Sequence, residues 1–148
     1  MPLEASFVGR PFPLGEPYEV GVEKVREFCA AIGETNPLCV DRAAARAAGY
    51  PDLIAPPTFA IAVVAGAQDR LLFHPELGLD FSRVVHRDQR FTHHRPIHAG
   101  DVLSAVACVD SLRVLAGNDV VSVRTEITDA AGDPVCTTVG TLVARAAE

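Results

Sequence analysis

The chain lacks the features that mark several large classes of protein. Its 148 residues include no tryptophan, one methionine and 6% aromatic residues, and its formal net charge is −6. A surface that binds nucleic acid needs clustered Lys and Arg to replace the cations condensed on phosphates. Because this chain carries more acidic than basic side chains, binding to a nucleic acid is not expected.

Segments that would place the chain in a membrane are also missing. No stretch approaches the roughly 18 consecutive apolar residues that a membrane span needs. Residues 1–12 lack the basic start and the apolar run of a signal peptide. The sequence therefore predicts a cytoplasmic protein with no membrane contact.

The cysteines are too scattered to indicate a redox or metal site. They include no Cys-x-x-Cys pair, and isolated cysteines in a reducing compartment are usually small buried hydrophobic residues. Neither a metal nor another cofactor is expected. The cysteines are Cys29, Cys39, Cys108 and Cys136.

Hydrophobic residues make up 49% of the chain, which is enough for one continuous core. No repeat, low-complexity tract or charged tail divides the sequence, so a single domain is expected over residues 1–148. Residues 1–17 are rich in Pro and Gly and predict an extended lead-in to a short strand from Tyr18 to Val22.

Three helices are predicted in the first half of the chain. Apolar residues recur at helical spacing over Val22–Ile32, and Gly33 ends the pattern. A short helix lies over Asp41–Gly49, where the aspartate can cap it and the glycine can end it. The third begins at Pro57, runs to about Leu72 and is apolar on nearly every face, so other structure has to wrap it.

The second half of the chain has the pattern of an antiparallel sheet. Four runs of β-forming residues are separated by turns centred on glycine, and the last three runs predict a meander. A sheet of this kind wrapped around one buried helix is an α+β architecture. The runs cover residues 83–97, 102–115, 119–130 and 135–146, with turns at Gly100, Gly117 and Gly132.

The most informative stretch is Gly33-Glu-Thr-Asn-Pro-Leu-Cys-Val-Asp41. It resembles the Gly-Asp-x-Asn-Pro-x-His-x-Asp motif of the MaoC-like (R)-specific hydratases and dehydratases. Two more phrases follow in the family's order, Ala55-Pro-Pro-Thr-Phe59 and Arg95-Pro-Ile-His-Ala-Gly-Asp101. The resemblance covers most of the chain and implies a hot-dog fold, in which a curled antiparallel sheet wraps a central helix.

The resemblance also implies a chemistry. Members of the family dehydrate (3R)-hydroxyacyl thioesters with a carboxylate and an imidazole around one water position, which is general acid–base catalysis. Backbone N–H groups at the start of the central helix polarise the thioester carbonyl. The family's aspartate falls on Glu34, its asparagine on Asn36, its histidine on Cys39 and its oxyanion glycine on Pro57.

Three of these positions differ from the family's pattern. Glu34 keeps the carboxylate on a longer arm, and about 1 Å of misplacement can cost roughly 10²-fold in rate. Cys39 offers a thiol in place of an imidazole that titrates near neutrality. Pro57 has no N–H to donate, so that donor is either lost or moved to Thr58 or Phe59. The expected catalytic positions are Glu34, Asn36 and Cys39, and the expected substrate-binding positions are Tyr50, Pro57, Thr58 and Phe59.

A retained motif with a lost dyad resembles the substrate-binding subunit of the heterodimeric (3R)-hydroxyacyl-ACP dehydratase and its actinobacterial relatives. This resemblance implies a subunit that binds an acyl-CoA or acyl-ACP thioester while a catalytic MaoC-like partner supplies the intact Asp/His dyad. The phrases that carry it are Tyr18-Glu-Val20, Glu23-Lys-Val-Arg-Glu-Phe28, Gly49-Tyr50, Asp88-Gln89 and Ala144-Arg-Ala146.

Three alternatives stay open. The first is a self-sufficient homodimeric hydratase in which Glu34 is the acid–base group, supported by water and Asn36. The second is a module that binds acyl thioesters without turnover. The third is a hot-dog thioesterase, in which a carboxylate activates water. Pairing of two hot-dog subunits edge to edge is implied by the resemblance in each case.

The remaining polar residues of the predicted sheet are interpreted as structural. His93 and His94 are adjacent in a predicted strand and therefore point to opposite faces, which prevents them from binding one metal ion. Asp101 is interpreted as a turn residue. A basic stretch in the same region is either solvated surface or a contact for CoA phosphates or an acidic carrier protein. The other histidines there are His86 and His98, and the basic residues are Arg83, Arg87, Arg90 and Arg95.

Overall fold

The computed structural model describes residues 3–146, so Met1 and Pro2, where the predicted lead-in begins, and the last two residues lie outside it. Among the described residues no helix is long and apolar enough to cross a bilayer. The short helix α2 lies inside the 33–41 motif and was not expected from the sequence. The helices are α1 (Val22–Ile32), α2 (Pro37–Val40), α3 (Arg42–Ala47) and α4 (Ala60–Leu72).

The backbone confirms the predicted ends of α1 and α3. Gly33 follows α1 in the left-handed conformation with φ 72°, which glycine adopts without a steric penalty. Asp41 caps α3, because its carboxylate accepts hydrogen bonds from the N–H groups of Ala43 and Ala44 at 2.9 and 3.3 Å. Gly49 lies beyond the end of α3 with φ 95°. These local signals place the first two predicted helices correctly.

Six strands form one antiparallel sheet in the order β1-β4-β5-β6-β3, with β2 also paired to β4. The meander predicted for the last three strands is confirmed, and β3 pairs with β6. Within residues 3–146 the other edge of β3 has no partner strand. The strands are β1 (Phe12–Pro13), β2 (Tyr18–Glu19), β3 (Val84–His93), β4 (Val102–Leu115), β5 (Asn118–Thr128) and β6 (Pro134–Ala144).

Strand β2 is shorter than the predicted strand from Tyr18 to Val22. The N–H of Val20 still donates to Asp101 O, and its carbonyl accepts from Gly100 N–H, both at 2.8 Å. Gly21 then serves as the N-cap of α1, which begins at Val22. The helix signal of Val22–Ile32 therefore prevails over the strand signal at the boundary.

Helix α4 lies in the curl of the sheet, but the sheet covers only one of its sides. A 3₁₀ turn over Pro57–Phe59 leads into it, and Gln68 Nε2 joins it to β5 by donating to Thr125 Oγ1 at 3.1 Å. The sheet wraps the helix as predicted, but the opposite side, called the open side of α4, is solvent-exposed. The fully buried residues are Ala60, Val63, Val64, Ala67 and Leu71, and the exposed ones are Ala65, Gly66, Asp69 and Arg70.

Candidate functional site

The motif loop, residues 33–41, is shaped by hydrogen bonds from its own side chains. Glu34 Oε1 accepts a hydrogen bond from the Asn36 N–H at 2.9 Å, and Asn36 Oδ1 accepts one from the Leu38 N–H at 3.0 Å. Pro37 is the first residue of α2, where no N–H is needed. Two of the predicted catalytic side chains therefore stabilise the local backbone.

Cys39 fills the position of the motif's histidine from inside the core, where it is 4% exposed. Burial, followed by the charges of Cys29 and Glu34, raises the pKa of the Cys39 thiol to about 11. The thiol is therefore protonated at neutral pH, and it is the thiolate that acts as a nucleophile or base. This supports the interpretation of Cys39 as chemically inert.

A cavity of about 380 Å³ opens beside the motif loop. One wall is formed by Asn36, Leu38 and Cys39 of the loop, and a second by residues 93–97 at the end of β3. Ile54, Ala55 and Pro57 close it from the side of α4. The lining is mainly apolar, so its few polar side chains set the orientation of a ligand.

Some of the predicted site residues line this cavity and others do not. Phe59 has no exposed surface and packs against Phe28 with ring centroids 5.3 Å apart. The Phe59 N–H donates to Pro56 O at 2.9 Å and is not free for a ligand. The N–H of the exposed Thr58 makes no such bond to the backbone among residues 3–146. The cavity lining contains Asn36, Cys39 and Pro57 but does not include Glu34, Tyr50, Thr58 or Phe59.

The structure of the strand-end wall, residues 93–97, differs from the strand alternation that the sequence predicts for His93 and His94. His93 and His94 line the same cavity, although strict strand alternation would separate them. The reason is that β3 ends at His93, so His94 lies beyond the strand, where its N–H and that of Arg95 both approach Val135 O, at 2.8 and 3.4 Å. This strand end has no signal in the sequence apart from Pro96, which cannot continue a ladder. No group of three or more potential ligands for a metal occurs within residues 3–146.

Both imidazoles of this wall make long-range hydrogen bonds. His93 Nε2 donates to Pro57 O at 2.8 Å, which ties the wall to the turn before α4. His94 Nε2 lies 3.3 Å from Thr137 Oγ1, and that hydroxyl lies 2.6 Å from Glu126 Oε2. The sequence interpretation missed these residues because their partners are distant in the chain.

A buried ion pair holds the strand-end wall in place. Two guanidinium nitrogens of Arg95 donate to the two carboxylate oxygens of Asp101, each at 2.9 Å, and Asp129 lies 3.6 Å away. Asp101 is buried and also accepts a hydrogen bond from the His98 N–H at 2.9 Å. Asp101 is therefore a structural residue, and the charge of Arg95 is neutralised by its own chain. Two other arginines of the basic stretch also lie beside carboxylates, Arg83 at 2.8 Å from Asp80 and Arg87 at 3.8 Å from Asp88.

Known proteins are similar to this chain in sequence and in fold. Residues 6–138 match the family model of the FAS1-like dehydratase domain region. The chain belongs to this dehydratase family. A UPF0336 protein of Saccharopolyspora erythraea is 57% identical over 98% of this chain and 93% of its own length.

Solved structures place this FAS1-like dehydratase chain among the hot-dog proteins. A MaoC-like dehydratase is 35% identical with a TM-score of 0.89, over 96% of this chain and 43% of that one. A chain of the HadBC (3R)-hydroxyacyl-ACP dehydratase complex from Mycobacterium tuberculosis is 30% identical with a TM-score of 0.85. That match covers 95% of this chain and 99% of the other. The hot-dog fold implied by the motif is confirmed.

This dehydratase-family chain has a second cavity on the open side of α4. It measures about 340 Å³ and lies between that helix and the sheet, with Asp69, Phe81, His86 and Gln89 among its lining residues. The side chain of Gln89 lies across Gly140, where an added Cβ would be 2.6 Å from Gln89 Oε1. Gln89 Nε2 is buried without a hydrogen-bond partner in the described residues.

Proposed function

We propose that the chain is the substrate-binding subunit of a (3R)-hydroxyacyl thioester dehydratase, acting with a MaoC-like partner that supplies an intact Asp/His dyad. The observation that carries the proposal is Cys39, a buried thiol with a pKa near 11 where the motif requires an imidazole. Glu34 Oε1 accepts from the Asn36 N–H, and Glu34 is not part of the cavity lining. The motif loop therefore lacks the pair of free acid–base groups that a dehydration requires.

The main cavity supports a binding role. Its volume of about 380 Å³ and its mainly apolar lining suit the acyl part of a thioester carried by CoA or by an acyl carrier protein. Leu38, Ile54, Ala55 and Ile97 supply apolar surface, and Asn36 supplies an amide. The chain thus retains a place for the substrate where it has lost the dyad.

The unpaired edge of β3 supports a partner subunit. This strand is ten residues long, and a long exposed edge is a template for pairing with another chain. Beside it, Phe73 and Phe81 are 59% and 43% exposed with ring centroids 4.6 Å apart. The 340 Å³ cavity lies between this region and the open side of α4. The related HadBC dehydratase is itself a complex, and a homodimer or heterodimer built on this edge is consistent with all four observations.

The test measures hydration of crotonyl-CoA and longer enoyl-CoA thioesters by the chain alone, by a MaoC-like subunit with the intact motif from the same organism, and by both together. The two subunits are expected to purify as one complex. Its rate should exceed that of the chain alone by at least roughly 10²-fold, the lower end of what general acid–base catalysis contributes.

Glu34→Gln separates this proposal from the self-sufficient hydratase. The variant keeps an acceptor for the Asn36 N–H and removes the acid–base group, and Glu27→Gln on the exposed surface of α1 is the matched control. A robust rate of the chain alone that Glu34→Gln abolishes and Glu27→Gln preserves would overturn the proposal. Release of free CoA by the chain would instead indicate a thioesterase.

A binding module without turnover is the second candidate, and the inert thiol of Cys39 favours it. It predicts that acyl-CoA raises the unfolding temperature of the chain, while no MaoC-like subunit brings about hydration in its presence. Activity of the reconstituted complex excludes this candidate.

A further inference from the structure

The hydrogen bonds of His94 determine which of its ring nitrogens carries the proton. Thr137 Oγ1 lies 2.6 Å from Glu126 Oε2 and 3.3 Å from His94 Nε2. Since a carboxylate only accepts, the Thr137 hydroxyl donates to Glu126, and its oxygen accepts from the Nε2–H of His94. Arg124 Nη1 binds the other oxygen of Glu126 at 3.0 Å and keeps that carboxylate in place.

When the imidazole of His94 is neutral, its proton is therefore on Nε2, and Nδ1 is left as an acceptor. This nitrogen has no hydrogen-bond partner among residues 3–146, and His94 lines the 380 Å³ cavity. The neighbouring His93 is held on two sides, because its Nε2 donates to Pro57 O and its ring stacks on Phe91. His94 is thus the better placed of the two to meet a ligand.

Asn36 provides the complementary group. Its Oδ1 accepts from the Leu38 N–H, which leaves the amide NH₂ as a donor on the cavity lining. One donor and one acceptor in a mainly apolar cavity match a thioester with a 3-hydroxyl group, whose carbonyl accepts and whose hydroxyl donates. An enoyl thioester has the carbonyl but lacks the hydroxyl.

We propose that His94 is a specificity-determining residue whose Nδ1 accepts a hydrogen bond from the 3-hydroxyl of the bound hydroxyacyl thioester. The proposal rests on the proposed function and names the form of the substrate that the cavity prefers. His94 is exposed in the free chain, so water can pair with its Nδ1 there, and an acyl chain that covers this nitrogen without offering a hydroxyl leaves it unpaired. The cavity therefore binds the hydrated thioester more tightly than the dehydrated one.

The test measures binding of three CoA thioesters of equal chain length to the full chain by titration calorimetry. They are (3R)-3-hydroxyoctanoyl-CoA, octanoyl-CoA and trans-2-octenoyl-CoA. The hydroxyacyl thioester is expected to bind about three- to tenfold more tightly than the other two, the range of one neutral hydrogen bond. His94→Leu should reduce this ratio to about one. The matched control His86→Leu removes an imidazole of β3 that lines the other cavity, and it should leave the ratio unchanged.

A second measurement does not depend on a variant of His94 being well folded. Nitrogen-15 NMR of the wild type is expected to show the Nε2–H tautomer of His94, and Thr137→Val should weaken both this tautomer and the preference for the hydroxyl. Three results would overturn this inference and leave the proposed function standing. They are an Nδ1–H tautomer of His94, an affinity ratio that His94→Leu leaves intact, and an affinity ratio that depends on His93 instead. Failure of all three thioesters to bind overturns both.

Discussion

The motif loop and the strand-end wall face each other across the 380 Å³ cavity, and they are held by contacts of different range. In the motif loop, the side-chain oxygens of Glu34 and Asn36 accept from backbone N–H groups only two positions away. In the strand-end wall, His94 bonds to Thr137, 43 positions away, and His93 to Pro57, 36 positions away. The side chains of the first wall therefore stabilise their own loop, whereas the imidazoles of the second connect it to distant parts of the chain.

The two walls also differ in the chemistry they offer. The motif loop carries the family signature, yet the carboxylate of Glu34 is engaged locally and Cys39 holds its proton at neutral pH. The strand-end wall carries no signature, yet it contributes both imidazoles of the cavity. In this site the recognisable motif therefore identifies residues that shape the backbone, whereas the imidazoles that line the cavity come from a segment without a motif.

The largest effect is expected from Asp101→Asn, which breaks the ion pair behind the strand-end wall. Removing one partner of a buried pair leaves the other uncompensated, and since Arg95 is 31% exposed we expect a loss of about 2–4 kcal/mol in the free energy of unfolding. Urea denaturation measures the loss. The control is Asp110→Asn, whose exposed pair with Arg124 should contribute less than about 1 kcal/mol. Equal losses from the two variants would show that the wall does not depend on Asp101.

A smaller and pH-dependent effect is expected on the other side of the cavity from Asp52→Asn. Hydrogen bonds from Arg42 and from the Leu53 N–H lower the pKa of the Asp52 carboxyl to about 2. This value lies below that of an unfolded aspartate, about 3.9, so the stabilisation is present above pH 4 and is lost as the pH falls towards 2. Allowing for solvent screening, the difference between wild type and variant should be about 1.5 kcal/mol at pH 6. Unfolding measured from pH 6 to pH 2 would contradict the assignment if that difference stayed constant.

Asn36→Ala tests the motif loop itself. Loss of an N-cap typically costs about 1 kcal/mol, because the Leu38 N–H loses its acceptor. Thermal unfolding measures the cost, and Thr35→Ala at the exposed neighbouring position is the control. A larger loss of unfolding free energy than that of Asp101→Asn would mean that the motif loop contributes more to stability than the ion pair behind the strand-end wall.

The smallest effect is expected from His93→Leu, which removes the bond between the strand-end wall and Pro57 O. Because His93 is exposed, the change in unfolding free energy should be about 0.5 kcal/mol. The local effect should be larger, with faster amide hydrogen exchange in the turn before α4 than in the His86→Leu control. Unchanged exchange in that turn would show that the bond does not couple the wall to the helix.

The elements that the sequence predicts correctly are those whose signals are local. Helix α1 ends where its apolar periodicity meets Gly33, and α3 lies between the cap at Asp41 and the left-handed Gly49. Strand β4 has the predicted bounds, Val102–Leu115. Hydrophobic pattern and turn residues determine such elements before any tertiary contact forms. The hot-dog topology needed the family resemblance in addition.

The parts that sequence reasoning missed depend on partners far along the chain. Strand β3 ends at His93, and the N–H groups of His94 and Arg95 both approach Val135 O, so strand alternation does not apply to this pair of histidines. The exposure of the open side of α4 was not predicted, because Ala65 and Gly66 are small apolar residues, and the apolar pattern of the sequence predicts that such residues are buried. Composition shows which residues can be buried, and only the folded topology shows which are.

The burial of Cys39 also bears on how the cavity responds to oxidants. Peroxide attacks thiolates, and with a pKa of about 11 only about one Cys39 thiol in 10⁴ is ionised at pH 7. Catalytic cysteines with lowered pKa values are oxidised readily under the same conditions. Oxidation of Cys39 is therefore expected to be slow compared with that of a cysteine of lowered pKa, so this part of the cavity lining keeps a reduced thiol.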